Sequence, residues 1–157
     1  MHEIHIRPAV VADAWNVSQL IQSLLHYRAP DTTLPPPPEF TARFQPDALA
    51  ATITSPNHRY HVAMQEGFLA GVIGVRDNQH LLHLFVAESH RRRGIARALW
   101  HQAKAVVLEA APEVEMTVRS SVYAVEVYRH FGFVVSGPRV DGPITFVPMR
   151  ARIRRDG

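Results

Sequence analysis

Three consecutive arginines and a glycine, Arg91, Arg92, Arg93 and Gly94, are the residues of this sequence best suited to bind an anionic ligand. They lie between an apolar run, residues 80–86, and a segment whose apolar spacing predicts a helix. The first amides of a helix have no partners within it and carry partial positive charge, so such a junction can bind phosphate. Arginine adds full charge, and glycine lets a ligand approach the backbone closely. A basic run is more often a solvated surface, but this placement favours a phosphate-bearing cofactor.

The elements on either side of this turn are predicted from their hydrophobic patterns. The run before it is apolar at successive positions, which indicates a strand that is covered on both faces and central in its sheet. After Gly94, apolar residues recur at three- and four-residue spacing until Pro112, a common stop signal for a helix. The residues of this stripe are Ile95, Ala98, Leu99, Ala103 and Val106.

Two motifs resemble those of the GCN5-related N-acetyltransferases, the GNAT superfamily. Residues 91–96 match the signature Arg/Gln-x-x-Gly-x-Gly/Ala. Residues 121–133 resemble the family's later helix, with the pattern Asn-x-x-Ala-x-x-x-Tyr-x-x-x-Gly-Phe. Ala124, Tyr128, Gly132 and Phe133 match this second pattern, and Ser121 stands where asparagine is common. Serine can also cap a helix, so we expect a helix from Ser121 to continue to about residue 131.

The resemblance implies an α/β fold with a mixed, mostly antiparallel sheet of six to seven strands and about four flanking helices. It also implies acetyl-CoA as the cofactor, with its pyrophosphate at the signature. The pantetheine arm would lie where the preceding strand splays from its neighbour. On this basis the expected cofactor-binding residues are Leu84, Phe85, Val86, Arg91, Arg92, Arg93, Gly94, Ile95, Ala96, Arg97, Ser121, Ala124 and Tyr128.

Acetyl transfer to an amine needs a base, because a lysine amine has a reference pKa of about 10.4. Histidine suits that work, and the strand offers His80 and His83. Regular alternation predicts that these two side chains point to opposite faces. We prefer His80, because histone- and arylalkylamine-acetylating members resemble each other in placing a Glu or His base at this distance from the signature. His83 is expected to be a packing residue.

Tyr128 is the candidate general acid. From spacing alone it is equally well explained as a core aromatic residue, because Ala124, Val127 and Phe131 share its helical face. In the resembling family this tyrosine lies beside the coenzyme sulfur, which favours the acid role. The remaining histidines show no metal-ligand spacing, so no metal is predicted.

Composition limits the classes of protein to consider. A chain of 157 residues with 46% hydrophobic and 20% charged residues is expected to form one globular domain, 1–157. No apolar leader or membrane-spanning run is present, so a cytoplasmic protein is expected. There is no cysteine, which excludes a cysteine nucleophile. The net charge of +3 is too small to require a nucleic-acid partner. Residues 150–157 are basic and are predicted to form a frayed, solvated tail.

The remaining segments are predicted as follows. Residues 3–7 form a first strand, residues 11–27 a helix, and residues 47–53 a short helix. Residues 60–65 and 68–76 form a hairpin that turns at Glu66 and Gly67, and residues 115–119 form a further strand. Residues 133–136 and 144–149 form a final strand pair. Four prolines, residues 35–38, make a stiff loop, which is a connector or, less often, a ligand for another domain.

The acceptor is expected to be a primary amine of a small molecule or peptide. In the resembling family the segment between the first two helices often lines the acceptor site. By that analogy Tyr27, Arg28, Phe40 and Phe44 are the substrate-binding candidates, and a homodimer is plausible.

The sequence thus predicts an N-acetyltransferase that uses direct transfer from acetyl-CoA. Two alternatives remain open: a non-catalytic acyl-CoA-binding module, and a basic nucleic-acid-binding protein. A membrane partner is not expected.

Overall fold

The computed structural model describes residues 3–25, 37–91, 93–142 and 144–155. These residues form a seven-stranded sheet in the order β1-β2-β3-β4-β5-β7-β6. Neighbouring strands are antiparallel except for β4 and β5, which are parallel. The strands are β1 His5–Pro8, β2 His58–Gln65, β3 Phe68–Arg76, β4 His80–Val86, β5 Glu113–Ser120, β6 Val134–Val135 and β7 Val147–Arg154.

Five α-helices flank the sheet in the described part of the chain, so the predicted fold class is confirmed. They are α1 Ala14–Leu24, α2 Pro38–Thr41, α3 Pro46–Thr54, α4 Ile95–Ala110 and α5 Val125–His130. Short 3-10 turns occupy Val11–Asp13, Ala42–Phe44 and Glu88–His90. No helix among the described residues is long and apolar enough to cross a bilayer.

Two apolar cores lie on opposite faces of the sheet. On one face, called here the α1 face, α1 and α3 pack over β2 and β3 around Val17, Ile21, Leu49 and Val72. On the other, the α4 face, α4 and Tyr128 of α5 pack around Leu99, Met116 and Phe133. Helices α1 and α3 contact β2, β3 and β4, which are one half of the sheet.

A β-bulge in β4 changes the predicted direction of one histidine. Val75 pairs with Leu81 and Gly74 pairs with His83, so Leu82 is the extra residue without a partner on β3. Leu81 lies in the core of the α4 face, whereas the His83 ring contacts Phe44 on the α1 face. In an unbroken strand these two odd-numbered residues would point to the same face, so the bulge has reversed the alternation of side chains beyond Leu82.

His80 consequently lies on the same face as His83. It pairs with Arg76 and hydrogen-bonds Thr117, whose neighbours Met116 and Val118 are in the core of the α4 face. The prediction that His80 and His83 point opposite ways is wrong, because it assumed an unbroken strand. His80 shares the face of Phe85 and not that of Leu84 and Val86, on which regular alternation along an unbroken strand would place it.

The chain end also differs from the prediction. Residues 150–154 belong to β7, which pairs with β5 along its whole length, and are not a frayed tail. Met149, Ala151 and Ile153 are buried, while Arg150 and Arg152 point to the other face. Exposed arginines alternate with buried apolar residues here, which is the period-two pattern of a strand with one buried face. The last strand therefore begins at Val147 and extends beyond the predicted residues 144–149.

Candidate active site

Gly94 occupies the N-cap position just before α4 and has a left-handed backbone, φ 77°. This conformation is costly for any residue with a Cβ, which explains why a glycine stands here. The amide of Ala98 bonds to the carbonyl of Gly94, and no side chain among the described residues caps the amides that precede it. A Cβ at Gly94 would meet no atom within 4 Å. The turn therefore presents unpaired helix amides to open space, a geometry that fits a diphosphate.

The start of α4 is held close to the sheet by a second glycine. A Cβ on Gly71 of β3 would lie 3.0 Å from Leu99 Cδ1 and 3.1 Å from Ile95 Cγ2. Ile95 and Leu99 are buried on that strand, so the helix terminus has a fixed position. Ala96 follows on the helix and is half-buried.

The predicted arginines surround this turn. Arg91 and Arg93 are exposed, and Arg93 Nη1 lies 3.4 Å from Gln65 Oε1 of β2. Arg97, on the first turn of α4, is also exposed and donates to His101 at 3.4 Å. Arg92 lies outside the described residues. The exposed guanidinium groups add full positive charge beside the helix amides.

Strands β4 and β5 diverge next to the turn. They pair only at His80 with Thr117 and at Leu81 with Val118, and the rest of β4 has no partner on β5. Leu84 and Val86 are half-buried against the core of the α4 face, while Phe85 is buried on the α1 face. The parallel strands thus form an opening that widens toward the arginine turn, as the sequence resemblance implied.

Helix α5 lines the α4 face and is shorter than predicted. Ser121 lies before it, and its carbonyl accepts the amide of Ala124, which occupies the N-cap position. The predicted helix start at Ser121 is therefore wrong: the chain first makes a turn over residues 122–124. At the other end, Gly132 has φ 102° and the amide of Phe133 bonds to the carbonyl of Tyr128. This is the expected glycine cap.

Tyr128 is buried, with 6% of its surface exposed. Its ring packs edge-on against Phe131 at 6.2 Å and Phe133 at 5.6 Å between ring centroids. The aromatic contacts fix the ring on the α4 face. Packing and a chemical role are compatible here, because only the hydroxyl would be needed for proton transfer.

His80 borders a cleft of about 360 Å³ on the α1 face. Its Nδ1 lies 2.8 Å from Thr117 Oγ1. Burial, and after it the charges of Arg76 and Arg119, together lower the pKa of His80 to about 4. His80 is therefore neutral at pH 7 and can accept a proton. Sequence reasoning missed Thr117, Arg76 and Arg119, since they come together only through strand pairing.

An aromatic cluster fills the α1 face beside His83. The hydroxyl of Tyr60 is 2.7 Å from His83 Nδ1, and burial raises the pKa of that hydroxyl. Phe44 is buried and contacts both Phe40 and His83. Of the four predicted acceptor residues, Phe40 is thus half-buried beside the cluster and Phe44 is inside the core. Tyr27 and Arg28 lie outside the described residues.

The fold and this site define an acyltransferase of the class that the two motifs resemble. Residues 27–153 match the family model described as acetyltransferase (GNAT) domain. The chain belongs to the GNAT family of acetyl-CoA-dependent N-acetyltransferases. The family resemblance and the predicted cofactor are thereby confirmed. Within the described residues no three His, Asp or Glu side chains are grouped as metal ligands.

Two solved structures of acetyltransferases have a similar fold. The chain is 16% identical to a PaiA N-acetyltransferase from Thermoplasma acidophilum, crystallised with coenzyme A, with a TM-score of 0.78 over 96% of this chain and 99% of that one. It is 18% identical to the ribosomal-protein-S18-alanine N-acetyltransferase of Escherichia coli, with a TM-score of 0.70 over 99% and 97% of the two chains. At these identities the likeness shows the fold alone. No curated protein sequence matches the chain.

Proposed function

We propose that this protein transfers the acetyl group of acetyl-CoA directly to a primary amine, within one ternary complex. The observation that carries the proposal is the opening between β4 and β5 beside the Gly94 turn. Acetyl-CoA supplies the acetyl group in activated form, as a thioester. Because the sequence has no cysteine, a thiol of the protein cannot accept the acetyl group first.

The cofactor-holding residues are proposed as follows. The amides at the start of α4 and the side chains of Arg91, Arg93 and Arg97 hold the pyrophosphate. Leu84, Phe85 and Val86 line the pantetheine arm, with Ser121 and Ala124 opposite. A backbone amide of β4 near Val86 donates to the carbonyl oxygen of the thioester, where negative charge develops during transfer.

His80 is the proposed general base. In this proposal His80 Nδ1–H donates to Thr117 Oγ1, which leaves Nε2 free to accept the proton of the attacking amine. Val86 lies six positions after His80 on β4, at most about 20 Å away, so the proton travels through ordered water. His83 lies on the same face between these two residues and is the competing base.

Tyr128 is the proposed general acid. Its hydroxyl donates a proton to the sulfur as the carbon–sulfur bond breaks. The proton that His80 took from the amine then returns through solvent to the Tyr128 oxygen. General acid catalysis contributes about 10² to 10⁴ in rate. Replacing Tyr128 by phenylalanine keeps the ring contacts with Phe131 and Phe133 and removes only the proton donor.

The test is release of free coenzyme A thiol over a panel of amines. We expect Tyr128→Phe to lower kcat by about 10²-fold or more and to leave acetyl-CoA affinity nearly unchanged. Tyr123→Phe is the matched control, because Tyr123 is 51% exposed in the turn before the same helix. Equal rates for wild type and Tyr128→Phe would remove Tyr128 from the mechanism.

The base is tested by a second pair of variants. His80→Ala should lower kcat/KM strongly at pH 7, whereas His5→Ala, an exposed change on β1, should not. Loss of activity in His83→Ala with full activity in His80→Ala would transfer the role to His83. Binding of acetyl-CoA without thiol release from any amine would instead favour a non-catalytic acyl-CoA-binding module.

The charge distribution opposes the nucleic-acid alternative. Arg150, Arg152 and Arg154 on β7 lie within 3.5 Å of the carboxylates of Glu113 and Glu115 on β5. These arginines are therefore largely neutralised by their neighbours. We expect no steeply salt-dependent binding to duplex or single-stranded nucleic acid.

A further inference from the structure

The cleft beside His80 extends from the end of β3 and the start of β4 over β5 and β7, the strands that α1 and α3 do not cover. Arg76 and Gln79 border it from the end of β3 and the following turn, Thr117 and Arg119 from β5, and Pro148 from β7. Helices α1 and α3 pack on β2, β3 and β4 and make few contacts with this half of the sheet. Side chains of β5 and β7 therefore face the cleft directly.

Arg119 brings an uncompensated positive charge to this cleft. Its Cζ lies 5.1 Å from the centre of the Phe146 ring, a cation–π contact that holds the guanidinium in place. Within the described part of the chain, Arg119 makes no hydrogen bond or ion pair. The carboxylates nearest on its own strand, Glu113 and Glu115, are engaged by the arginines of β7. The guanidinium donors of Arg119 are thus available to a ligand.

The other charges of the cleft do not cancel Arg119. Arg76 lies 3.8 Å from the carboxylate of Asp77, and both side chains are about half exposed. His80 is neutral at pH 7. Two guanidinium groups and one carboxylate leave the cleft with a net positive charge, beside the proposed base.

We propose that this cleft binds a carboxylate of the acceptor, so that the enzyme acetylates amines that also carry a carboxylate group. The inference rests on the proposed acetyl transfer and names the class of acceptor. The planar donors of Arg119 match a carboxylate in a two-point contact, and Arg76 adds a second cation. A polycationic acceptor, such as a polyamine, is repelled by the same charges.

Binding of a carboxylate in this cleft would also make His80 a stronger base. Burial contributes most to the low pKa of His80, and Arg76 and Arg119 add to it. A bound carboxylate offsets the two positive charges and raises the affinity of His80 for a proton. The correct acceptor thereby strengthens the base that deprotonates it.

The experiment compares ω-amino acids of increasing chain length with their primary amides, using thiol release as the readout. Each pair has the same amine and differs only in the carboxylate. We expect the best acid to exceed its amide in kcat/KM by at least about tenfold, the scale of one charge-assisted contact. Arg119→Gln should remove most of this ratio, and Arg119→Lys should retain part of it.

Arg150→Gln is the matched control, because Arg150 is an exposed arginine on the same face that pairs with Glu115 and does not line the cleft. It should leave the acid-to-amide ratio unchanged. The proposal is overturned if wild type uses amides as well as acids, or if Arg119→Gln and Arg150→Gln change the ratio equally.

A binding measurement keeps this inference separate from the proposed catalysis. The N-acetyl derivatives of each ω-amino acid in this series and of its amide are titrated into the protein with coenzyme A, and heat is recorded. Tighter binding of the acid, lost in Arg119→Gln, supports the carboxylate site even where no thiol is released. Equal binding of acid and amide refutes the carboxylate site. If the enzyme acetylates the amines of the amides and not those of the acids, the carboxylate site is also refuted, but the proposed acetyl transfer stands.

Discussion

Replacing Gly94 by alanine separates the cost of a strained backbone from the cost of a blocked cofactor site. Gly94 and Gly67 have nearly the same backbone, φ 77° and φ 79°, and a Cβ added at either position would meet no atom within 4 Å. Gly67 lies in the β2–β3 hairpin, and Gly94 lies at the arginine turn. Gly67→Ala is therefore a control with the same strain and no proposed ligand.

The two substitutions should destabilise the protein alike. An L-residue in the left-handed region costs about 1–2 kcal/mol. For a domain of this size that corresponds to a fall in Tm of roughly 2–8 °C. Thermal unfolding without ligand should show similar losses for both variants.

The stability gained on binding acetyl-CoA should distinguish Gly94→Ala from Gly67→Ala. The methyl of Gly94→Ala enters the space through which a diphosphate approaches the α4 amides, and losing one charge-assisted hydrogen bond weakens binding by about tenfold or more. At a ligand concentration of 100 Kd, wild type and Gly67→Ala gain about 2.7 kcal/mol of stability. At the same concentration a tenfold weaker variant gains only about 1.4 kcal/mol. Equal thermal protection of both alanine variants would refute the assignment of this turn to the pyrophosphate.

Two further predictions concern stability. A Cβ at Gly74 would overlap the ring of Tyr60. Gly74→Ala should therefore lower the free energy of unfolding in urea by about 1–3 kcal/mol and loosen the Tyr60–His83 contact. An unchanged urea midpoint would contradict this packing. The pKa of His80 is lowered to about 4 from 6.5, so between these pH values the unfolded chain binds a proton that the folded chain does not. Stability should fall as pH falls from 6.5 to 4, and His80→Asn should reduce that fall by about 1 kcal/mol, after discounting for solvent screening. An identical pH dependence in the variant would show that His80 is not shielded from protonation.

Local sequence was sufficient to predict the arginine turn and several chain reversals. Gly94 adopts a left-handed backbone that few other residues tolerate, and Ile95 and Leu99 give α4 its buried stripe. The hairpin at Glu66 and Gly67 and the cap at Gly132 likewise depend on residues close in the chain. Such features are predictable because backbone conformation and helix periodicity are set by neighbouring residues.

Strand pairing decided which side chains meet on the proposed acceptor side of the site. The bulge at Leu82 places His80 and His83 on one face, and no nearby residue signals it, because it depends on the register with β3. Thr117 reaches His80 from 37 residues away. Arg119 is positioned by Phe146, far along the chain. The arginines of β7 engage the carboxylates of Glu113 and Glu115, which explains why these carboxylates do not neutralise Arg119.

The sequence by itself therefore determined the family, the cofactor and the glycine turn that we propose for its phosphates, since each is encoded in a contiguous run. Only the tertiary structure decided which side chains share the cleft and what charge that cleft carries. Those properties arise from hydrogen-bond register between distant strands, and a change of one residue in that register reverses the face on which every later side chain lies.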